Sequence, residues 1–170
     1  LASRDLGWPV KALEAARVTL EAHGDRVNAA HARYLQIRRL LLIGRLDEAD
    51  VLLAALDPAT LPPVLRAAHE LVAAGIAIRR LQSQTARHAL TRAEHAAREA
   101  GIPALTAEVE NAFLVLNSPT ARLIAHGEER PLLLDEVEAV LGSTALVVDA
   151  CRYAVRGAGM SAAKRSNTGM

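Results

Sequence analysis

The chain has 170 residues, 51% of them apolar and only 2% aromatic. That length suits one domain, or one domain plus a fragment, with a core of Ala, Leu, Val and Ile that gives a ligand no floor of stacked rings. Twenty basic and nineteen acidic residues leave a net charge of +1, which excludes a global field that draws in nucleic acid or a membrane surface.

The one cysteine, Cys151, excludes an internal disulfide and the usual Cys-based zinc patterns. No apolar run approaches the roughly 18 residues that a membrane span requires, and the start has no signal-peptide layout. A cytoplasmic location with no membrane partner is expected. Leu1 in place of a methionine, with patterned sequence under way by Gly7, reads as a chain that begins mid-protein.

In chain order, a first helix is expected over residues 9–23, with Pro9 in its first turn and Gly24 as a left-handed stop. Ala12, Ala16 and Leu20 form its inner stripe. Asp25 caps a second helix over 26–43, with Ala30, Tyr34, Ile37 and Leu41 along one face. Gly44-Arg45-Leu46 turns the chain into a third helix, 47–56, with Ala49, Leu52, Leu53 and Leu56 inward. Asp57-Pro58 ends it, and Pro62-Pro63 opens a fourth over 63–81. Gln82-Ser83-Gln84 is a poor turn, followed by a fifth helix over 85–100 that stops at Gly101 and a sixth over 103–116 opened by Pro103.

Beyond Asn117 the character changes. Apolar runs at 121–125 and 131–134 flank HGEER and read as a hairpin. Residues 135–141 read as a short helix with acids in its first turn. Residues 146–149 and 151–156 alternate like strands, and the tail, 158–170, is unpatterned and expected to be disordered. The division is therefore 1–118, 119–157 and 158–170.

A fixed step underlies the first part. Gly7 and Gly44 are 37 apart (44 − 7), as are Ala12, Ala49 and Ala86 (49 − 12, 86 − 49). Ala16, Leu53 and Leu90 keep the step, and so do Ala30, Ala67 and Ala104. Small residues at equivalent places let helices approach, and a period of this length with helical patterning is the mark of stacked hairpins. The alternative is an irregular bundle whose Ala-rich helices coincide.

The run GRLDEADVLLAAL resembles the tetratricopeptide repeat, in which a glycine closes the first helix and an alanine five residues on packs against it. Here these are Gly44 and Ala49, with Leu40, Leu53 and Leu56 at apolar positions. Arg33 and Gln36 stand where large apolar residues are usual, and the step of 37 exceeds the family's length of about 34. A divergent relative with longer helices is implied over 7–117. The resemblance implies a mostly α fold: antiparallel helical hairpins stacked as a tetratricopeptide-like right-handed solenoid, followed by a small strand-containing piece. It also implies a concave groove lined by first helices, with His31, Tyr34, Arg38 and Arg79 as candidates to bind a protein or peptide partner. Two arginines there suit an acidic peptide through charge-assisted hydrogen bonds; the alternative is that they are merely solvated.

A second resemblance joins GDRVNAAHARYLQIRRLLLIGRLDEA to LLLDEVEAVLGSTALVVDACRYAVRGAG. Together they are similar to proteobacterial regulators that carry helical repeats ahead of a winged-helix DNA-binding domain. LVVDACRYAVRG resembles that domain's entry strands, and no recognition helix follows Gly159. DNA contact is therefore expected only through a downstream domain missing from this chain.

Catalytic chemistry finds little foothold. His88 and His95 are seven apart, whereas a metal pair on a helix needs i, i+4 spacing. Ser3, Ser83, Ser118 and Ser143 sit in no nucleophile elbow. Cys151 reads as a small core residue, Glu136 and Glu138 as surface acids, and no Gly-rich phosphate cradle exists. Arg87, Arg92 and Arg98 interleave with Glu94 and Glu99, which predicts pairing along the helix. Phe113 and Leu116 are expected to lie exposed at the end of the repeats. No catalytic, cofactor-binding or metal-binding residue is assigned. The expected role is non-catalytic, a protein–protein interaction or signal-sensing module of a bacterial transcriptional regulator. The rival is a free-standing tetratricopeptide-like scaffold with no DNA-linked role.

Overall fold

The structure is a computed structural model that describes residues 10–143, 145–150 and 154–157. The described residues are mostly helical and form seven α-helices with two small two-stranded sheets. The helices are α1 (Val10–Ala22), α2 (Arg26–Leu42), α3 (Leu46–Ala54), α4 (Pro63–Arg79), α5 (Ser83–Ala100), α6 (Pro103–Leu116) and α7 (Leu134–Gly142). The strands are β1 (Ala121–Ala125), β2 (Glu128–Leu132), β3 (Val147–Asp149) and β4 (Ala154–Arg156). No described helix is long and apolar enough to cross a membrane.

The centre is α4, which is buried on two sides. Leu65, Val72 and Ile76 pack with Ala30, Tyr34, Ile37 and Leu41 of α2 and with Ala49 and Leu53 of α3. Its other face is alanine: Ala74 and Ala77 meet Ala86, Ala89 and Leu90 of α5, and Ala67 meets Ala93, Ala96 and Ala97. Methyl-sized side chains on both helices bring the backbones close, so burial is reached with few large residues. The charges of α5 flank this alanine seam. Arg98 pairs with Glu94 along the helix, but Arg92 reaches Glu70 and Arg66 reaches Glu99 between helices. Cross-helix pairing thus accounts for more of the basic residues than the sequence spacing predicts.

Helix ends follow local chemistry. The Asp25 carboxylate accepts from Asn28 N–H at 3.1 Å and caps α2. At the α2–α3 turn Gly44 has φ +78° and Arg45 N–H donates back to Leu40 C=O at 2.9 Å. Thirty-seven residues later, Leu81 has φ +58° and Gln82 N–H donates to Ala77 C=O at 2.9 Å. The two turns make the same helix-ending bond, one with the glycine that left-handed backbone favours and one with a leucine. This is why α4 stops at Arg79, two residues before the expected end.

Three expectations need correction. In α1, Ala12 and Ala16 are exposed, and the inward stripe is Leu13, Arg17 and half-buried Leu20. One polar contact joins this helix to α2, Gln36 Nε2 donating to Glu14 at 2.8 Å, while Arg17 pairs with Glu14 and Glu21 within α1. Leu116 is only 1% exposed and shares a cluster with Leu134 of α7, with Phe113 half-buried beside it. The exposed residues at that end are Leu114 and Val115 instead. Ala104, unlike Ala30 and Ala67, is exposed at the start of α6.

The hairpin β1–β2 turns on His126 and Gly127, both at positive φ, as a two-residue loop between twisted strands requires. Most of HGEER therefore belongs to β2. Strands β3 and β4 pair antiparallel, with Val147 opposite Arg156. Pro9, Cys151, Tyr153 and the tail 158–170 lie outside the described residues.

Candidate functional site

A cavity of about 390 Å³ opens where α2, α4 and α6 run past one another. From α2 come Arg38, Leu41 and Leu42; from α6 come Leu105, Glu108 and Ala112. Between them α4 supplies Ala68, Leu71, Val72, Gly75 and Arg79. All three helices turn one face to the core and the next to this space: Leu41 and Val72 belong to both. The floor is therefore apolar, and charge is confined to two arginines and one glutamate.

The four sequence candidates separate here. Arg38 and Arg79 line the cavity. Arg38 faces Glu108 across it, with Nη1 3.5 Å from the carboxylate. Arg79 donates to Gly75 C=O at 3.1 Å, which lays its guanidinium along α4. His31 is exposed on α2 and lies outside the cavity wall. Tyr34 is 2% exposed and is a core residue, not a groove residue. Helical rotation explains the difference, because Tyr34 shares the buried stripe with Ile37 and Leu41.

Tyr34 instead anchors a polar contact inside the core. Its hydroxyl lies 3.2 Å from His69 Nδ1, and the rings meet edge to face with centroids 6.0 Å apart. Burial pushes the Tyr34 hydroxyl above its ordinary range, with the Glu70 carboxylate adding to the effect. Burial likewise pushes His69 below its ordinary value; Glu70 opposes that and Arg92 reinforces it. Glu70 is held by a two-point bond to Arg92, at 2.9 and 2.8 Å. Hydrogen bonds from Arg17 and then Gln36 hold the Glu14 carboxyl at about 2.

The helical array meets α7 through the Leu134 cluster and through one polar contact. Glu138 of α7 accepts from both Ser83 N–H (2.9 Å) and Ser83 Oγ (2.6 Å). It thereby caps α5 from 55 residues away, and α5 begins at Ser83 rather than Thr85 for that reason. The two Ser83 bonds hold the Glu138 carboxyl below its usual range. Glu138 is therefore more than a surface acid. Glu136 caps α7 itself through Leu133 N–H, with Arg130 beside it.

His88 and His95 are exposed, and no group of His, Cys, Asp or Glu among the described residues is arranged to hold a metal ion. Of the adjacent arginines 38-39 and 79-80, Arg80 is bound to Asp47 and Asp50, and Arg38 faces Glu108. Gly75 and Glu108 are wall residues that the sequence reading missed. A glycine in the middle of an Ala-rich helix is the signal for the first, since it weakens a helix relative to alanine; Glu108 carries none. No protein-family model, curated protein or solved structure matches this chain.

Proposed function

We propose that this chain is the non-catalytic sensing module of a bacterial transcriptional regulator, built as a tetratricopeptide-like stack of helical hairpins. In this reading the hairpins form a right-handed solenoid, and the signal, a partner segment or a ligand, enters the groove between α2, α4 and α6. The observation that carries the reading is that one open, apolar cavity is walled by these three helices.

An occupant there touches α4, whose other face is packed against α5. The start of α5 is held by Glu138, and Leu134 shares its core cluster. Altered packing of α4 on α5 therefore reaches α7 and the strands next to it in sequence through a short line of contacts. A winged-helix unit continuing from those strands would be reoriented by the change. The pairing of arginines with carboxylates supports leaving DNA contact to that downstream unit, since phosphate binding draws on unneutralised basic groups.

The test is titration of labelled duplex DNA with this chain and with the chain continued by its gene's own downstream codons. Binding by the continued form alone, weakening as salt rises, is the expected result. Equal binding by both forms overturns the reading. So does a gene with no winged helix in frame, which leaves a free-standing scaffold.

A further inference from the structure

Gly75 sits mid-α4 on the cavity wall, without the positive φ that would call for glycine. A Cβ there would come 3.3 Å from Leu41 Cδ1 and 3.7 Å from Arg79 Nη1. Glycine thus lets Leu41 and the Arg79 guanidinium lie close against the α4 backbone on the cavity wall, where any side chain would crowd them. Arg79 is exposed, and its bond to Gly75 C=O stays within its own helix. One of five N–H donors is used there, and the fork can take a carboxylate.

The rest of the lining narrows the ligand. Beyond Arg38, Arg79 and Glu108 it is aliphatic, with no hydroxyl or amide side chain. A sugar or nucleoside would find polar partners only at Arg38, Arg79 and Glu108, too few for its several hydroxyls, and burying the rest unpaired is costly. A phosphorylated ligand would face Glu108. Two arginines and one glutamate leave one net positive charge, so a single negative group is matched. The volume of about 390 Å³ falls within the range of small-molecule sites.

We propose that this groove binds a small amphiphilic monocarboxylate, with its carboxylate on Arg79 and its apolar body against Leu41, Leu71 and Leu105. The inference rests on the groove being the signal site and names the class of signal.

Methyl NMR of the whole chain during titration with octanoate, octanol and octylammonium tests it. Octanoate is expected to shift the methyls of Leu41, Leu71 and Leu105 and to leave those of Leu13 unchanged. Octanol and octylammonium should bind at least about tenfold more weakly, the worth of one charge-assisted bond. Arg79→Gln should weaken octanoate by a similar factor, and Gly75→Leu should abolish its binding by filling the space. Arg79→Gln keeps the test decisive if Gly75→Leu disturbs the helix, because Arg79 is exposed.

Equal binding of octanoate and octanol, or no effect of Arg79→Gln, overturns the carboxylate while leaving an apolar groove. No shift of the groove methyls by any of the three probes overturns the inference altogether. The regulator reading fails separately, in the DNA titration.

Discussion

Helices α5 and α1 contain residues at the same 37-residue step and treat them in opposite ways. In α5, Ala86 and Leu90 are buried, as Ala49 and Leu53 are in α3. In α1 the corresponding Ala12 and Ala16 face solvent. The difference lies in their neighbours. Helix α5 is packed by α4 and α6 and receives α7 at its start, whereas α1 packs against α2 through Leu13 and a Gln36–Glu14 hydrogen bond. A sequence period marks positions of similar shape; burial needs a partner on the other side of each one.

The strongest way to break this comparison is to change side-chain size at its two ends. Leu90→Ala removes a side chain with 0% exposure from between four helices and is expected to cost about 3 kcal/mol. Ala16→Leu, on the exposed face of α1, should change stability by less than about 0.5 kcal/mol. Urea denaturation of both variants measures the contrast, and similar losses would remove it.

The two matched turns sharpen it at the level of backbone. Gly44 has open space where a Cβ would lie, so Gly44→Ala isolates the left-handed cost, about 1–2 kcal/mol. Leu81→Gly relieves the same backbone cost but gives up a half-buried contact with the α4–α5 cluster. The two effects should cancel to within about 1 kcal/mol. A large loss at Leu81 would show that its side chain outweighs the turn.

The smallest effect belongs to the clasp between array and strand piece. Ser83 is 3% exposed, and Ser83→Ala should cost about 1 kcal/mol. Because Glu138 titrates below its ordinary 4.5 in the folded chain, its contribution is present above that value and is lost as pH falls through the lower folded one. Urea midpoints measured across this acid range should fall less steeply for Ser83→Ala than for the parent. Parallel slopes would place the acid sensitivity elsewhere.

Much of the helical order was legible locally. Asp25, Pro63 and Pro103 mark helix starts, Gly44 and Gly101 mark stops, and Ala30, Tyr34, Ile37 and Leu41 lie on one buried face as their spacing implies. The stop at Leu81 was harder to read, because leucine pays a conformational cost at positive φ that glycine does not. Of the candidate groove set, Arg38 and Arg79 line the cavity, His31 is exposed outside it, and Tyr34 is buried in the core. A tyrosine next to the groove stripe differs from one on it by a fraction of a helical turn, and side-chain polarity does not resolve that angle.

By itself, the sequence determined a mostly helical chain with an aliphatic core, the position of nearly every helix, and a hairpin after Asn117. Those properties follow from interactions over a few residues: caps, prolines, left-handed glycines and the 3.6-residue period. Tertiary structure alone decided that Glu138 caps α5, that Leu134 shares a cluster with Leu116, that Gln36 reaches Glu14 of α1, and that α2, α4 and α6 leave a cavity between them. Each depends on groups far apart in the chain arriving at one place. No local pattern carries that information, because the free energy of such contacts exists only once the helices have packed.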